Sequence, residues 1–123
     1  MKVILITGNH PRHYYFVNRL LHTSFDISWI IEKRKDKFIP KIEKKYNQNI
    51  QKLFVKHFEK RRNAEKNFFK IKNNNFIKNA NILENVKRAD FKNDNLEKII
   101  SKHKFDLLIS YGCGLINNNC LKK

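Results

Sequence analysis

Three short segments of the chain consist largely of apolar residues and have the length of β-strands. They cover residues 2–7, which end before Gly8, residues 26–31, and residues 105–110, which run towards Gly112. Apolar runs of this length are typical of strands that are buried on both faces, as in a parallel sheet. The pattern therefore predicts a mainly parallel β-sheet that contains these three strands.

Helical patterns lie between and after the predicted strands. Pro11 suits the first turn of a helix after the first strand, and the residues behind it have helical periodicity. Residues 40–72 contain no Gly and predict one long helix, or two helices with a break near residues 47–49. A further helix is expected over residues 94–103, and another from residue 115 onward.

Strands that alternate with helices predict an α/β domain, and the first two strands with the helix between them form a βαβ unit. The expected fold over residues 1–123 is a Rossmann-like three-layer domain with a mainly parallel sheet and a long helical insertion at 40–72. Loops are expected at residues 32–38 and 73–81. Residues 82–93 are ambiguous, and a short strand at their start is one interpretation.

The predicted strands make about half of an open α/β sheet. A strand as apolar as residues 105–110 needs neighbours on both of its edges. We therefore expect the sheet to be incomplete and the chain to be the N-terminal part of a longer protein.

The charge of the chain raises nucleic acid and anionic membranes as partners. Among 123 residues, 27 are Lys or Arg and 11 are Asp or Glu, which gives a net charge of +16. The Lys residues are nevertheless scattered along the chain and accompany an excess of Asn and Ile, which favours a generally solvated surface. Nucleic-acid binding is therefore not expected as the main function, and a basic RNA-binding domain is kept as an alternative.

Other compositional features exclude whole classes of protein. No apolar run approaches the ~18 residues of a membrane span, and the N-terminus lacks the pattern of a signal peptide. Cys113 and Cys120 supply neither a disulfide framework nor a recognisable zinc set. We therefore expect a cytoplasmic protein with no metal and no membrane association.

The turn after the first strand carries the first candidate site. Asn9, His10 and Arg12 stand where a helix is expected to begin, at the carboxyl end of a strand, and free helix N–H groups there favour an anion. The turn matches neither the dinucleotide-binding nor the phosphate-cradling glycine motif. Two interpretations stay open: a ligand-binding turn, or a capped helix with exposed polar residues.

The long predicted helix carries the second candidate. His57, Arg61 and Glu65 share its apolar face at successive helical turns, so we expect all three to face inward and Arg61 to pair with Glu65. One hypothesis is a structural ion pair with His57 beside it. The other is a helix that borders the ligand cleft and contacts substrate through these three side chains.

The turn after the last strand is the third candidate. Gly112 and Gly114 permit a positive φ or a close backbone approach, although an ordinary tight turn also explains them. Cys113 lies between them, and nothing in the sequence identifies a base that would make it a nucleophile.

Together these segments resemble the N-terminal half of a folate-dependent formyltransferase domain, in the superfamily of methionyl-tRNA, glycinamide ribonucleotide and sugar N-formyltransferases. The matching features are the strand at 2–7 with its polar turn, the second strand near Trp29, and residues 105–112, which are similar to the family's PDLIVVAYG strand. Residues 57–69 resemble a helical insertion of one formyltransferase-like subgroup.

The resemblance implies transfer of a formyl group from the co-substrate 10-formyltetrahydrofolate to a primary amine, such as that of an amino-sugar. It implies contacts with the amine substrate for residues of the first turn: Asn9, His10 and Arg12. It implies a folate-side wall, built mainly from backbone groups, in the last turn: Tyr111, Gly112, Cys113, Gly114, Leu115 and Ile116.

The family's catalytic residues are an Asn-x-His pair about one strand beyond that last turn and a later Asp. No Asn-x-His triplet occurs in these 123 residues. The resemblance therefore implies that the catalytic residues lie downstream, and that this chain alone is inactive. The alternative function is a non-catalytic small-molecule-binding or regulatory module that kept the α/β half.

Overall fold

The computed structural model describes residues 1–35, 42–69 and 80–121. The chain divides into two compact units, one of Met1–Arg34 with Ile71–Lys123 and one of Lys35–Lys70. The first unit holds a β-sheet with helices, and the second holds one long helix. The elements in chain order are β1 (Lys2–Gly8), α1 (Pro11–Leu21), β2 (Asp26–Glu32), α2 (Gln48–Phe68), β3 (Asn81–Val86), a 3₁₀ turn (Arg88–Phe91), α3 (Asn95–Ser101), β4 (Leu107–Tyr111) and α4 (Asn118–Leu121).

The described strands form one parallel sheet in the order β3-β2-β1-β4. This confirms the predicted α/β, Rossmann-like fold. The chain moves outward from β1 through β2 to β3, and then returns to the other side of β1. The strand order therefore reverses between β1 and β4, and in open α/β sheets such a reversal creates a crevice at the carboxyl ends of the strands, where ligands bind.

The side chains of β1 alternate between two apolar clusters on opposite faces of the sheet. Val3 packs in one cluster with Val17 of α1, and Ile4 packs in the other, the α3-side cluster, with Leu96 of α3. Because both faces are covered, β1 is apolar along its length rather than alternating between apolar and polar residues. The helix–sheet–helix layering follows from this two-sided burial.

Local sequence explains where the two longest helices begin. His10 is the N-cap of α1 and Pro11 is its first residue, and the His10 backbone N–H donates to Nδ1 of His13 at 3.1 Å. Asn47 is the N-cap of α2, and its Oδ1 accepts from the Ile50 N–H at 2.9 Å. The break expected near residues 47–49 is thus the start of α2. The helix predicted from residue 40 is wrong over residues 42–47, which are not helical, and residues 40–41 lie outside the described residues.

Three sequence-based boundaries need correction. The last strand runs over Leu107–Tyr111 rather than 105–110, because Phe105 packs against the α3-side cluster before the strand begins. Glu32, expected in a loop, is the last residue of β2 and is fully buried. The final helix is limited in the described chain to the short segment Asn118–Leu121.

The strand β3 occupies Asn81–Val86, a region that the sequence left partly as a loop and partly ambiguous. Its burial is mixed because it lies at an edge of the described sheet, and its register against β2 shifts between Trp29 and Ile30. The rest of the predicted loop, residues 73–79, and the predicted helix end at residues 70–72 lie outside the described residues.

In the second unit the expectation of an inward-facing polar row on α2 is wrong. His57 and Arg61 are exposed, Glu65 is partly buried, and no residue of α2 is buried. Apolar residues of the predicted inward face, such as Leu53, are themselves exposed. Helical periodicity therefore identified an apolar face of α2 but not a buried one. The expected pairing does occur, since Arg61 Nε lies 3.2 Å from Glu65 Oε1. An exposed pair at this spacing contributes only about 0.3–0.5 kcal/mol.

A buried hydrogen bond between β1 and β2 gives the first testable prediction. Trp29 Nε1–H donates to Thr7 Oγ1 at 3.0 Å inside the core. Thr7→Val keeps the shape but leaves the indole N–H unpaired, so the free energy of unfolding should fall by about 1–3 kcal/mol. Urea denaturation followed by Trp29 fluorescence measures this.

The matched control is Ser24→Ala, at an exposed position of the same unit, which should change the unfolding free energy by less than about 0.5 kcal/mol. A Thr7→Val protein as stable as the wild type would contradict the buried hydrogen bond.

Candidate functional site

The candidate site lies at the carboxyl ends of the parallel strands, where the strand order reverses. The turn after β1, the residues after β2 and the turn after β4 are all linked there by side-chain contacts. The sheet brings them together because β2 and β4 flank β1 in parallel register.

The ring of His13 is enclosed between two glycines, one from each turn. A Cβ on Gly8 would lie 2.7 Å from Cε1 of His13, and a Cβ on Gly112 would overlap with Nε2. Gly112 also has a φ of 61°, the left-handed conformation that favours glycine. The Tyr111 ring meets the His13 ring edge-on, with 5.2 Å between centroids. The sequence pattern correctly indicated that glycine was needed in the last turn.

His13 is neutral over the ordinary pH range. Its side chain is fully buried, and this burial, followed by the positive charges of Arg12, His10 and Arg34, lowers the pKa of His13 from 6.5 to about 3. Nδ1 accepts the His10 N–H, so the proton of the neutral ring is on Nε2. Among the described residues, that Nε2–H has no hydrogen-bond partner.

Glu32 is a fully buried carboxylate that binds two arginines. Arg34 Nη2 donates to one carboxylate oxygen at 2.6 Å, and Arg88 Nη1 donates to the other at 3.3 Å. The same Arg34 Nη2 donates to the Gly112 carbonyl at 3.0 Å. One buried carboxylate thus links the end of β2 to the 3₁₀ turn, and through Arg34 to the turn after β4.

Asn9 fixes the backbone on which Arg34 stands. Its side-chain amide donates to the Arg34 carbonyl at 3.0 Å, and its Oδ1 accepts the Arg34 N–H at 3.2 Å. Asn9, predicted as a site residue, therefore acts in this structure by holding Arg34, which in turn contacts Gly112.

In the rest of the last turn, some residues pack against the core and one is exposed to solvent. A Cβ on Gly114 would lie 2.7 Å from the Phe91 ring, so glycine is required there by close packing. Ile116 packs against the α3-side cluster, whereas Leu115 is 92% exposed. Burial, and then the charge of Glu32, raises the pKa of the Cys113 thiol, which disfavours the thiolate that a nucleophile requires.

The structure unites only part of the predicted site. The first turn and the last turn meet at the strand ends through Arg34 and through His13. His10 also belongs here, with its ring 5.5 Å from that of His13, and Arg12 contributes to the positive potential at His13. His57, Arg61 and Glu65 belong to the second unit.

Sequence reasoning assigned no binding role to four residues of the site: His13, Glu32, Arg34 and Arg88. An acidic residue directly after the apolar run of β2 was the only available indication of Glu32. The partnership of Glu32 with Arg88 depends on the register of β3 beside β2, which pairs Glu32 with Val86.

This arrangement supplies hydrogen-bond donors and positive charge rather than a base or a nucleophile. His13 holds its proton on a buried nitrogen, and Cys113 keeps its thiol proton, so neither group suits proton abstraction or covalent attack near neutral pH. Within the described residues, no cluster of three or more His, Cys, Asp or Glu side chains is placed to hold a metal ion. The helices described here are all too short or too polar to cross a bilayer.

Comparison with known proteins adds no assignment. No protein-family model, no curated protein and no solved structure matches this chain.

The protonation state of His13 gives a prediction about pH. Because the pKa of His13 is about 3 in the folded chain and 6.5 when exposed, the unfolded chain binds the proton first as the pH falls. Stability should therefore decrease from pH 6.5 downward, with a contribution from His13 of up to about 1.4 kcal/mol per pH unit. His13→Gln removes this contribution, which urea denaturation at a series of pH values detects as a shallower slope.

The control for this series is Ser24→Ala, at an exposed position without a titratable group, which should retain the wild-type slope. Equal slopes for the wild type and His13→Gln between about pH 6 and pH 4 would show that His13 is not a buried neutral ring.

The Glu32 cluster gives a second prediction for this site. Arg34→Ala leaves a buried carboxylate paired only with Arg88, whose side chain is 63% exposed, so unfolding free energy should fall by about 3 kcal/mol. Adding Glu32→Gln to Arg34→Ala should restore part of this loss, because no buried charge is then left unpaired. Arg19→Ala, an exposed arginine of α1, is the matched control.

Proposed function

We propose that this chain is the N-terminal portion of a formyltransferase-like protein, which in its full-length form transfers a formyl group from 10-formyltetrahydrofolate to a primary amine. The observation that carries the proposal is the meeting of two turns at the strand-order reversal, after β1 and after β4. These are the two segments that the family resemblance assigns to the amine substrate and to folate.

The last turn offers an apolar contact to a flat pterin ring through Leu115, which is 92% exposed. The His13 ring already fills the space beside Gly112, and the Phe91 ring fills the space beside Gly114. Backbone donors and acceptors of Cys113 and Ile116 would complete this surface, with Tyr111 at its start. Folate-side binding by Tyr111–Ile116 is thus a proposal that rests on local geometry and on the resemblance.

On the amine side, the proposed substrate contacts are Asn9, His10 and Arg12. Their support is their position at the reversal of strand order, beside the folate-side turn. An amino-sugar is one acceptor that fits the proposed class.

The proposed chemistry needs groups beyond those in this sequence. Attack of an amine on the formyl carbon requires a proton acceptor and donors for the developing oxyanion. The chain contains no Asn-x-His triplet, and the buried His13 is too weak a base. We therefore propose that the 123-residue chain binds folate without turning it over. The same observation favours the second candidate function, a non-catalytic ligand-binding module.

Folate binding by the 123-residue chain tests the proposal. Titration calorimetry with the stable analogue 5-formyltetrahydrofolate should give saturable binding, and Leu115→Asp should weaken it by about tenfold, because a carboxylate would replace an apolar contact with the pterin. Leu115 is 92% exposed, so this variant leaves the core unchanged. Leu53→Asp, at a 67% exposed position of α2, is the matched control and should bind like the wild type.

Three outcomes would contradict the proposal. Absence of saturable folate binding would remove the folate-side assignment. Equal binding by Leu115→Asp and the wild type would place the ligand elsewhere. Turnover of 10-formyltetrahydrofolate with amino-sugars or aminoacyl acceptors, lost on substitution of His10 or Arg12, would locate the catalytic centre within this chain.

A further inference from the structure

The two arginines on Glu32 keep unused hydrogen-bond donors. Arg34 directs both hydrogens of Nη2 to Glu32 and to the Gly112 carbonyl, and Arg88 uses Nη1 for Glu32. Among the described residues, Arg34 Nε and Nη1 and Arg88 Nε and Nη2 have no partner. The Arg34 side chain is 23% exposed and that of Arg88 is 63% exposed, so solvent reaches both groups.

The buried carboxylate restrains both guanidinium groups. Glu32 is fully buried and holds one guanidinium on each of its oxygens, and Asn9 fixes the Arg34 backbone. A guanidinium that is held at one nitrogen has fewer orientations for its other donors, and this reduces the entropy lost on binding. Neutralising the charge of Glu32 would need only one arginine, whereas the structure places two there.

The charges of the cluster do not cancel. Arg34 and Arg88 carry two positive charges against the single negative charge of Glu32, which leaves one positive charge at the strand ends. Arg12 adds a further positive charge, which lies close enough to His13 to lower the pKa of that ring. A ligand with more than one negative charge and several acceptor oxygens is the complement of this surface.

We propose that Arg34 and Arg88, held by Glu32, form a binding site for a phosphoryl group. The terminal oxygens of a phosphate dianion can accept hydrogen bonds from both guanidinium groups at once, whereas a monocarboxylate has two oxygens and one charge. The site is open to solvent through Arg88 and adjoins the Gly112–Gly114 turn. It does not depend on folate binding or on formyl transfer.

Titration calorimetry of the full 123-residue chain with inorganic pyrophosphate and inorganic phosphate, at constant ionic strength, tests the site. Saturable binding of one anion per chain is expected, and acetate should bind about tenfold more weakly. Arg88→Gln should weaken phosphate binding by about tenfold, because a charged hydrogen-bond donor is lost while Glu32 keeps Arg34. Arg34→Lys, which keeps the charge but loses the planar fork, should also weaken it.

The control is Arg19→Gln, which removes one exposed positive charge from α1 and should change binding by less than about twofold. Circular dichroism verifies that each variant is folded. In the wild type, the Nε–H resonances of Arg34 and Arg88 should shift on addition of pyrophosphate.

Equal weakening by Arg19→Gln and Arg88→Gln, acetate binding as tight as phosphate binding, or no saturable binding of phosphate would each overturn the proposal. None of these results involves folate, so they are distinguishable from failure of the proposed function.

Discussion

The enclosure of a neutral imidazole between two glycines is the contact on which the strand-end site depends. His13 stands at the start of α1, and its ring fills the space between Gly8 after β1 and Gly112 after β4. A side chain at either glycine would displace the ring, and a charge on the ring would be buried without a counterion. The buried, uncharged His13 ring therefore connects the N-terminal turn of α1 to the turn after β4.

The buried Glu32 carboxylate adds a second connection that is electrostatic. Its two arginines come from opposite directions, Arg34 just after β2 and Arg88 just after β3, and Arg34 continues to the Gly112 carbonyl. Residues at the carboxyl ends of the four described strands are thus connected to one another. Arg12 lies near the same strand ends, so the site has excess positive charge as well as hydrogen-bond donors.

The apolar strands were predictable because β1 and β2 are buried on both faces, and a run of such residues has few other solutions. The strand β3 was obscured because exposed residues such as Glu84 interrupt its apolar ones. The requirement for Gly112 was visible in the sequence, but its partner His13 was not, since burial of a histidine depends on two turns about 100 residues apart. On α2, periodicity predicted the pairing of Arg61 with Glu65 correctly and their burial incorrectly, because spacing fixes which residues are neighbours on a helix but not what covers the helix.

The most direct test of this account is the protonation state of the His13 ring in the folded chain. Long-range proton–nitrogen NMR correlation of the imidazole, recorded from about pH 7.5 to pH 4.5, distinguishes the two neutral tautomers and the charged form. The structure predicts a ring that stays neutral throughout, with the proton on Nε2 and with Nδ1 as an acceptor from His10. A ring that becomes charged near pH 6.5, or that carries its proton on Nδ1 when neutral, would contradict it.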